Sequence, residues 1–306
     1  MSWADKAERA YERAQVPVEG KKHNNHALGN LVWFVLWIIL SPLYRVATRG
    51  KENVAPFGRG GTGALVVCNH VSFADPIFHY VVLRPGQWPR FMAKDDVMKG
   101  FFGWFLGMHG AFPVKRDSAD LSAVKRASRY LRDGEIVAMF PEGTRRGRGN
   151  VTLRIHAGAA LIARMGKAAV VPSTVHNSEK IKPKKGGRIH FPKITVEYGK
   201  PLYLKDFDWV EKQSRMEAFS WFAMRECYAL NQGIPAVEVN MKELFPLDED
   251  FSGLFGSWRP GDEPPVVKAA AGEQFVAAST QAPEGKQTAV QAESAQPAAQ
   301  AESGRQ

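Results

Sequence analysis

The chain has 306 residues, 44% of them apolar, enough for one large domain or two small ones with a sizeable core. Its two cysteines, Cys68 and Cys227, exclude a disulfide framework and offer no metal-ligand spacing, which suits a reducing compartment. A formal net charge of +10 calls for an anionic partner, and no zinc-finger, RNP-type or helix-turn-helix signature makes that partner nucleic acid.

Residues 1–26 are polar and charged, with helical character over Asp5–Ala14 and no cleavage pattern of a signal peptide. Leu31–Leu40 is then wholly apolar, and the uncharged stretch runs from Ala27 to Tyr44. A spanning helix needs about 20 apolar residues, so a shorter run points to an interfacial or re-entrant element. Basic residues flank it at both ends (Lys21, Lys22, His23 and His26 before, Arg45, Arg49 and Lys51 after), which fits a segment that dips into one leaflet and returns. Trp33 and Trp37, one helical turn apart, suit the headgroup boundary; the competing reading is a buried soluble helix.

Gly58-Arg59-Gly60-Gly61-Thr62-Gly63 matches a dinucleotide fingerprint, but it precedes a strand where that fingerprint must follow one, so it reads as a loop. Ala64–Cys68 is a short β-branched run and reads as a buried strand; Pro76–Val82 reads as a helix with proline in its first turn. Strands are expected at Arg90–Ala93, Ala111–Val114, Ile136–Phe140, Ala168–Val175 and Ile194–Tyr198. Helices are expected at Asp96–Met108, Ala119–Arg132, Ile155–Met165 and Trp209–Gln232. The aromatic cluster Phe101, Phe102, Trp104 and Phe105 reads as core, the alternative being that it extends a lipid-facing surface. The alternation implies an α/β domain with a largely parallel sheet flanked by helices, an antiparallel edge strand being compatible. The divisions are an N-terminal membrane-associated helical segment (1–49), the α/β domain (50–234), a C-terminal extension (235–259), and a tail (260–306) too rich in Ala, Gln, Glu, Pro and Ser to fold.

The chemistry gathers at strand ends. His70 and Asp75 lie five apart, across a turn from strand to helix, where a carboxylate can reach an imidazole and leave its other nitrogen to take a proton. The plainer reading makes Asp75 a helix cap. Ser72 between them suits a turn, and Cys68, on the same side of the strand as His70, reads as a core thiol rather than a nucleophile. Downstream stand Gly110-Ala111-Phe112-Pro113-Val114-Lys115-Arg116, Phe140-Pro141-Glu142-Gly143-Thr144-Arg145-Arg146 and Val170-Val171-Pro172.

In this order and at these distances the four blocks resemble those of the glycerolipid acyltransferases, over roughly Gly50 to Gly199. The resemblance implies a membrane-associated O-acyltransferase acting at the cytoplasmic face, with direct attack by an acceptor hydroxyl on an acyl thioester. It makes His70 the base and Asp75 its orienting partner. Arg116 and Arg145 become the phosphate ligands, a role their planar forks suit. Glu142 would bond a glycerol hydroxyl or hold an arginine, while Gly143 and Thr144 shape the turn and Gly143 admits the ligand closely. The implied acceptor is 1-acyl-sn-glycerol-3-phosphate (lysophosphatidate), the donor acyl-CoA or acyl carrier protein, with no cofactor or metal and an anionic membrane as partner. Rivals are another glycerolipid, lysophospholipid or glycolipid acceptor, or a non-catalytic basic protein binding membrane or nucleic acid. Arg146, Arg148 and Arg154 extend the anionic site or are solvated, and Lys94 resembles a family lysine. Lys180, Lys182, Lys184, Lys185 and Arg188 crowd one loop and either face solvent or lie on anionic headgroups. His79, His109, His156, His176 and His190 lack a spaced acidic partner and read as structural.

Overall fold

Strand β4 (Ala64–Cys68) is buried along its whole length, as a run of Ala, Leu, Val and Cys with no polar alternation requires. It is the middle of a seven-stranded sheet in this computed structural model, which describes residues 15–18, 21–24, 27–58, 61–115, 120–147, 152–182 and 187–265, with Lys6 and Arg9. The other strands are β3 (Ala47–Arg49), β5 (Pro89–Lys94), β6 (Ala111–Val114), β7 (Ile136–Met139), β8 (Ala169–His176) and β9 (Thr195–Tyr198), in the spatial order β3-β9-β8-β4-β7-β5-β6. All neighbours pair in parallel except β8 with β9, so β3 and β9 run against the other five. A separate antiparallel hairpin joins β1 (Gln15–Val18) to β2 (Lys21–Asn24).

Side chains alternate along the central strands and build two cores. Leu65, Val67, Val137, Met139 and Val170 face α4 (Leu121–Arg132), α5 (Gly158–Gly166) and α6 (Arg215–Gln232). Ala64, Val66, Cys68, Ile136, Ala138 and Val171 face α2 (Asp75–Leu83), and on that side α1 (Ala27–Leu43) and α3 (Gly100–Met108) add Trp33, Leu36, Leu40 and Leu106. Residues 236–258, with short helices α7 (Met241–Leu244) and α8 (Ser252–Phe255), join the first core through Phe245, Phe251, Phe255 and Trp258.

Several elements differ from the sequence reading. Helix α6 starts at Arg215 rather than Trp209: the Arg215 guanidinium bonds the carbonyls of Asp208 and Val210, closing a turn that buries Val210 before the helix begins. Helix α3 starts only at Gly100, whose φ of +61° breaks the path from the 3-10 turn Asp95–Met98. Its Phe101 and Phe102 are exposed, not core. Trp33 is half-buried and donates Nε1–H to the Val81 carbonyl at 2.9 Å, fastening α1 to α2, whereas Trp37 is exposed. Among the described residues no helix is long and apolar enough to cross a membrane. The Asp5–Ala14 reading, apart from helical Lys6 and Arg9, and the tail from 266 onward fall outside the described residues.

Candidate active site

The parallel strands end at one edge of the sheet, and the blocks after β4 and β7 deliver His70, Asp75 and Glu142 there, as in open α/β sheets that bind ligands beyond their strand ends. β4 ends at Cys68, and the chain turns through Asn69–Ala74 into α2. The His70 Nδ1 lies 2.9 Å from Asp75 Oδ2, and His70 keeps 12% of its side chain accessible while Asp75 is fully buried. The same Oδ2 accepts the backbone N–H groups of Val71 (3.0 Å) and Ser72 (2.8 Å). The remaining oxygen, Oδ1, accepts the Ser178 hydroxyl at 2.5 Å. Asp75 therefore holds the imidazole and ties back the turn before the helix; it does not cap α2, which begins at Asp75 itself and has no side-chain cap bond. Ser72 accepts from the Ala74 N–H at 3.3 Å, a turn contact. The His70 ring also stacks on Phe140, centroids 4.2 Å apart.

The second block to reach this point is the turn after β7. Gly143 takes φ +67°, and its N–H closes the turn onto the Phe140 carbonyl at 3.0 Å. A Cβ there would meet His156 Nε2 at 3.1 Å, so glycine serves both the backbone angle and the neighbour. Glu142 is buried, and both of its oxygens face protein donors. Oε2 accepts the His70 N–H at 3.0 Å; Oε1 accepts the Tyr228 hydroxyl and lies 3.6 Å from Arg146 Nη2. The Arg146 N–H in turn bonds the His70 carbonyl at 2.8 Å, and its side chain donates to Tyr228 Oη and the Leu244 carbonyl. His70 is thus gripped from both sides of its peptide by the Glu142–Arg146 turn. Burial raises the Glu142 carboxyl, against the lowering pull of the Tyr228 hydrogen bond, the His70 N–H and the Arg146 charge.

Thr144 and Arg145 are half-buried, and among the described residues their side chains have no hydrogen-bond or ion-pair partner. Arg116 lies outside the described residues, as does Arg148. Beside Arg116, the Lys115 N–H is pinned by Asp120 Oδ2 at 2.9 Å, while Asp120 Oδ1 caps α4 through the N–H groups of Ser122 and Ala123. Lys94 pairs with Asp96 at 2.8 Å.

Other candidates separate from the site. The Cys68 thiol is buried, bonds the Asn69 carbonyl, and is pushed up by desolvation and the Asp75 charge, the opposite of an activated nucleophile. His79 is fully buried against the Tyr198 hydroxyl, and burial pushes it down to about 4. His176 corrects the sequence reading: its Nε2 meets Glu197 Oε2 at 2.7 Å, a partner that strand β9 supplies across the antiparallel pair. Ser178 and Tyr228 escape sequence reasoning. Ser178 carries no motif, and Tyr228 sits within a long, mostly buried helix that carries none either; only the fold brings them to Asp75 and Glu142.

A family model described as acyltransferase matches residues 45–176. The 1-acyl-sn-glycerol-3-phosphate acyltransferase of Bacillus subtilis (strain 168) is 33% identical over 212 residues, 68% of this chain and 96% of that protein. The enzyme of the same name from Streptococcus pneumoniae (strain ATCC BAA-255 / R6) is 27% identical over 198 residues, 64% of this chain and 69% of its own. The crystal structure of the 1-acyl-sn-glycerophosphate (LPA) acyltransferase PlsC from Thermotoga maritima aligns with a TM-score of 0.46 at 18% identity, over 66% of this chain and 81% of that one. The chain belongs to the acyltransferase family and is an O-acyltransferase.

Proposed function

We propose that the protein transfers a fatty acyl group to the sn-2 hydroxyl of 1-acyl-sn-glycerol-3-phosphate, forming phosphatidate for phospholipid synthesis. The observation that carries this reading is the 2.9 Å His70–Asp75 contact, clamped by the Glu142–Arg146 turn, in a chain 33% identical to a relative bearing that activity's name. With the Nδ1 proton facing Asp75, His70 Nε2 takes the proton of the acceptor hydroxyl as its oxygen attacks the thioester carbonyl. Collapse of the tetrahedral adduct breaks the C–S bond, and the imidazolium returns the proton to the leaving thiolate. The products are the ester and a free thiol, CoA or the carrier protein's phosphopantetheine; no other cofactor enters.

Arg145, half-buried and unpartnered among the described residues, and Arg116 beside it in the motif series hold the acceptor phosphate. Glu142, its oxygens committed to His70, Tyr228 and Arg146, positions rather than binds. Gly143 and Thr144 form the wall of the turn. The outer face of α1, with Phe34, Ile38 and Ile39 exposed, attaches the enzyme to the cytoplasmic face of the membrane without crossing it.

Thiol release from a long-chain acyl-CoA, measured with the full-length protein and lysophosphatidate in mixed micelles, tests the assignment. The parent should turn over and His70→Ala should lose roughly 100- to 10,000-fold, the range of general base catalysis. A preference for an acceptor without phosphate would overturn the acceptor, and an active His70→Ala would overturn the mechanism.

A further inference from the structure

Helix α3 opens on two exposed aromatic residues, Phe101 at 76% and Phe102 at 59%, with Val97 exposed beside them. The turn that presents them is closely packed. Gly100 has φ +61°, and a Cβ on Gly103 would come within 2.1 Å of the Met98 carbonyl oxygen, so the helix start is seated directly on the turn before it. Adjacent exposed phenylalanines on a braced turn mark a contact surface rather than random apolar exposure.

Their place in the fold identifies the contact. β5 runs parallel to β7, and β7 to β4, so the chain leaving β5 emerges at the same sheet edge as the chain leaving β4 for His70. At the other end of that edge, the segment between β8 and β9 carries Arg188, Ile189, His190 and Phe191, all exposed, apolar tips alternating with basic ones. The Phe191 ring packs 5.5 Å from Tyr44, which directly follows α1, and Arg45 bonds the Phe191 carbonyl at 2.9 Å. The basic–apolar alternation suits anionic headgroups over acyl chains, and it adjoins the C-terminal end of α1. His70 lies between the two exposed groups.

We propose that the α3 tip, Val97, Phe101 and Phe102, is a second lipid-inserting contact, and that with the α1–Phe191 side it seats the catalytic edge on an anionic bilayer. This rests on the membrane-attached reading above. One inserted helix leaves a domain free to swing; a second contact across the edge fixes its orientation and brings His70 to the depth where a lysolipid hydroxyl lies.

The test uses full-length protein carrying an environment-sensitive fluorophore on Phe101→Cys, Ile38→Cys or Lys205→Cys, the last on the opposite sheet edge. Cys68 and Cys227 are buried and need no replacement. With vesicles of phosphatidylglycerol and phosphatidylethanolamine, the probes at 101 and 38 should brighten and be quenched by spin-labelled lipid, while that at 205 stays unchanged. F101S/F102S should weaken vesicle binding about 10- to 100-fold, as expected for withdrawing two large apolar side chains from lipid. Response at 38 but not at 101 would overturn this proposal and leave α1 attachment standing; response at neither would overturn both. Brightening at 101 that follows protein concentration without vesicles would give the tip to a second copy of the chain and also overturn it.

Discussion

Asp75 is enclosed by donors. Oδ2 receives His70 and two backbone N–H groups, so the hydroxyl of Ser178 on Oδ1 fixes the last freedom of the carboxylate. Ser178→Ala leaves a fully buried oxygen without its donor, a loss of about 1–3 kcal/mol. We expect kcat to fall with little change in KM, and Ser178→Thr to restore part of the loss. A rise in KM with kcat unchanged would mean that the bond does not position the imidazole. On the proposed reading, Arg145 holds the acceptor phosphate. Losing charge-assisted bonds of roughly 1.5–3 kcal/mol should cut kcat/KM for lysophosphatidate about 10- to 150-fold. Arg145→Lys should recover part, since a point charge lacks the bidentate fork. The dephosphorylated acceptor should be far less affected; an equal loss for both acceptors would mark Arg145 as structural.

At the scale of elements, the turn after β7 and helix α6 form one unit, because Tyr228 bonds Glu142 and Glu142 holds the His70 peptide. Burial raises the Glu142 carboxyl in the folded protein, so the folded state holds that proton more tightly than the unfolded chain does. Its contribution to stability is then fully present below the ordinary glutamate value and is lost as pH rises through the raised one. Glu142→Gln cannot titrate, so its urea midpoint should decline less than the parent's across that interval; parallel curves would refute the sign. Tyr228→Phe removes the largest lowering influence on Glu142 and strands the Arg146 Nε–H, and should destabilise by about 1–3 kcal/mol. The turn is legible from sequence because glycine and its flanking charges follow a buried strand. Its support is not, since a helix of mixed composition such as Arg215–Gln232 conceals which hydroxyl will face a carboxylate. β3 escapes for a related reason: Ala47-Thr48-Arg49 has no apolar run and becomes a strand only by pairing with β9. β4, β7 and the first half of β8, apolar on both faces, declare themselves.

For the molecule as a whole, the two helical layers are unequal. One buries its helices against a deep core with residues 236–258, whereas the other leaves much of α1 facing outward. The length and basic flanks of that apolar run are plain in the sequence; which of its residues turn inward is not, because every position is apolar. Trp33, Leu36, Leu40 and Tyr44 pack on the sheet side, and Arg84 and Tyr80 bond the Gly29 carbonyl. Deleting residues 1–44 would therefore open the core and confuse unfolding with loss of membrane binding. Substitution on the outer face avoids this. Phe34 and Ile38 lie one helical turn apart and are exposed, so F34S/I38S should leave the thermal midpoint within a few degrees of the parent. If both side chains enter lipid, at about 1.5–3 kcal/mol each when fully withdrawn from water, vesicle affinity should fall at least about 10-fold, with larger losses as insertion deepens. Turnover of a short-chain, water-soluble acceptor should persist, while turnover of vesicle-borne lysophosphatidate drops with binding. Unaltered vesicle affinity in this variant would remove α1 from the membrane contact.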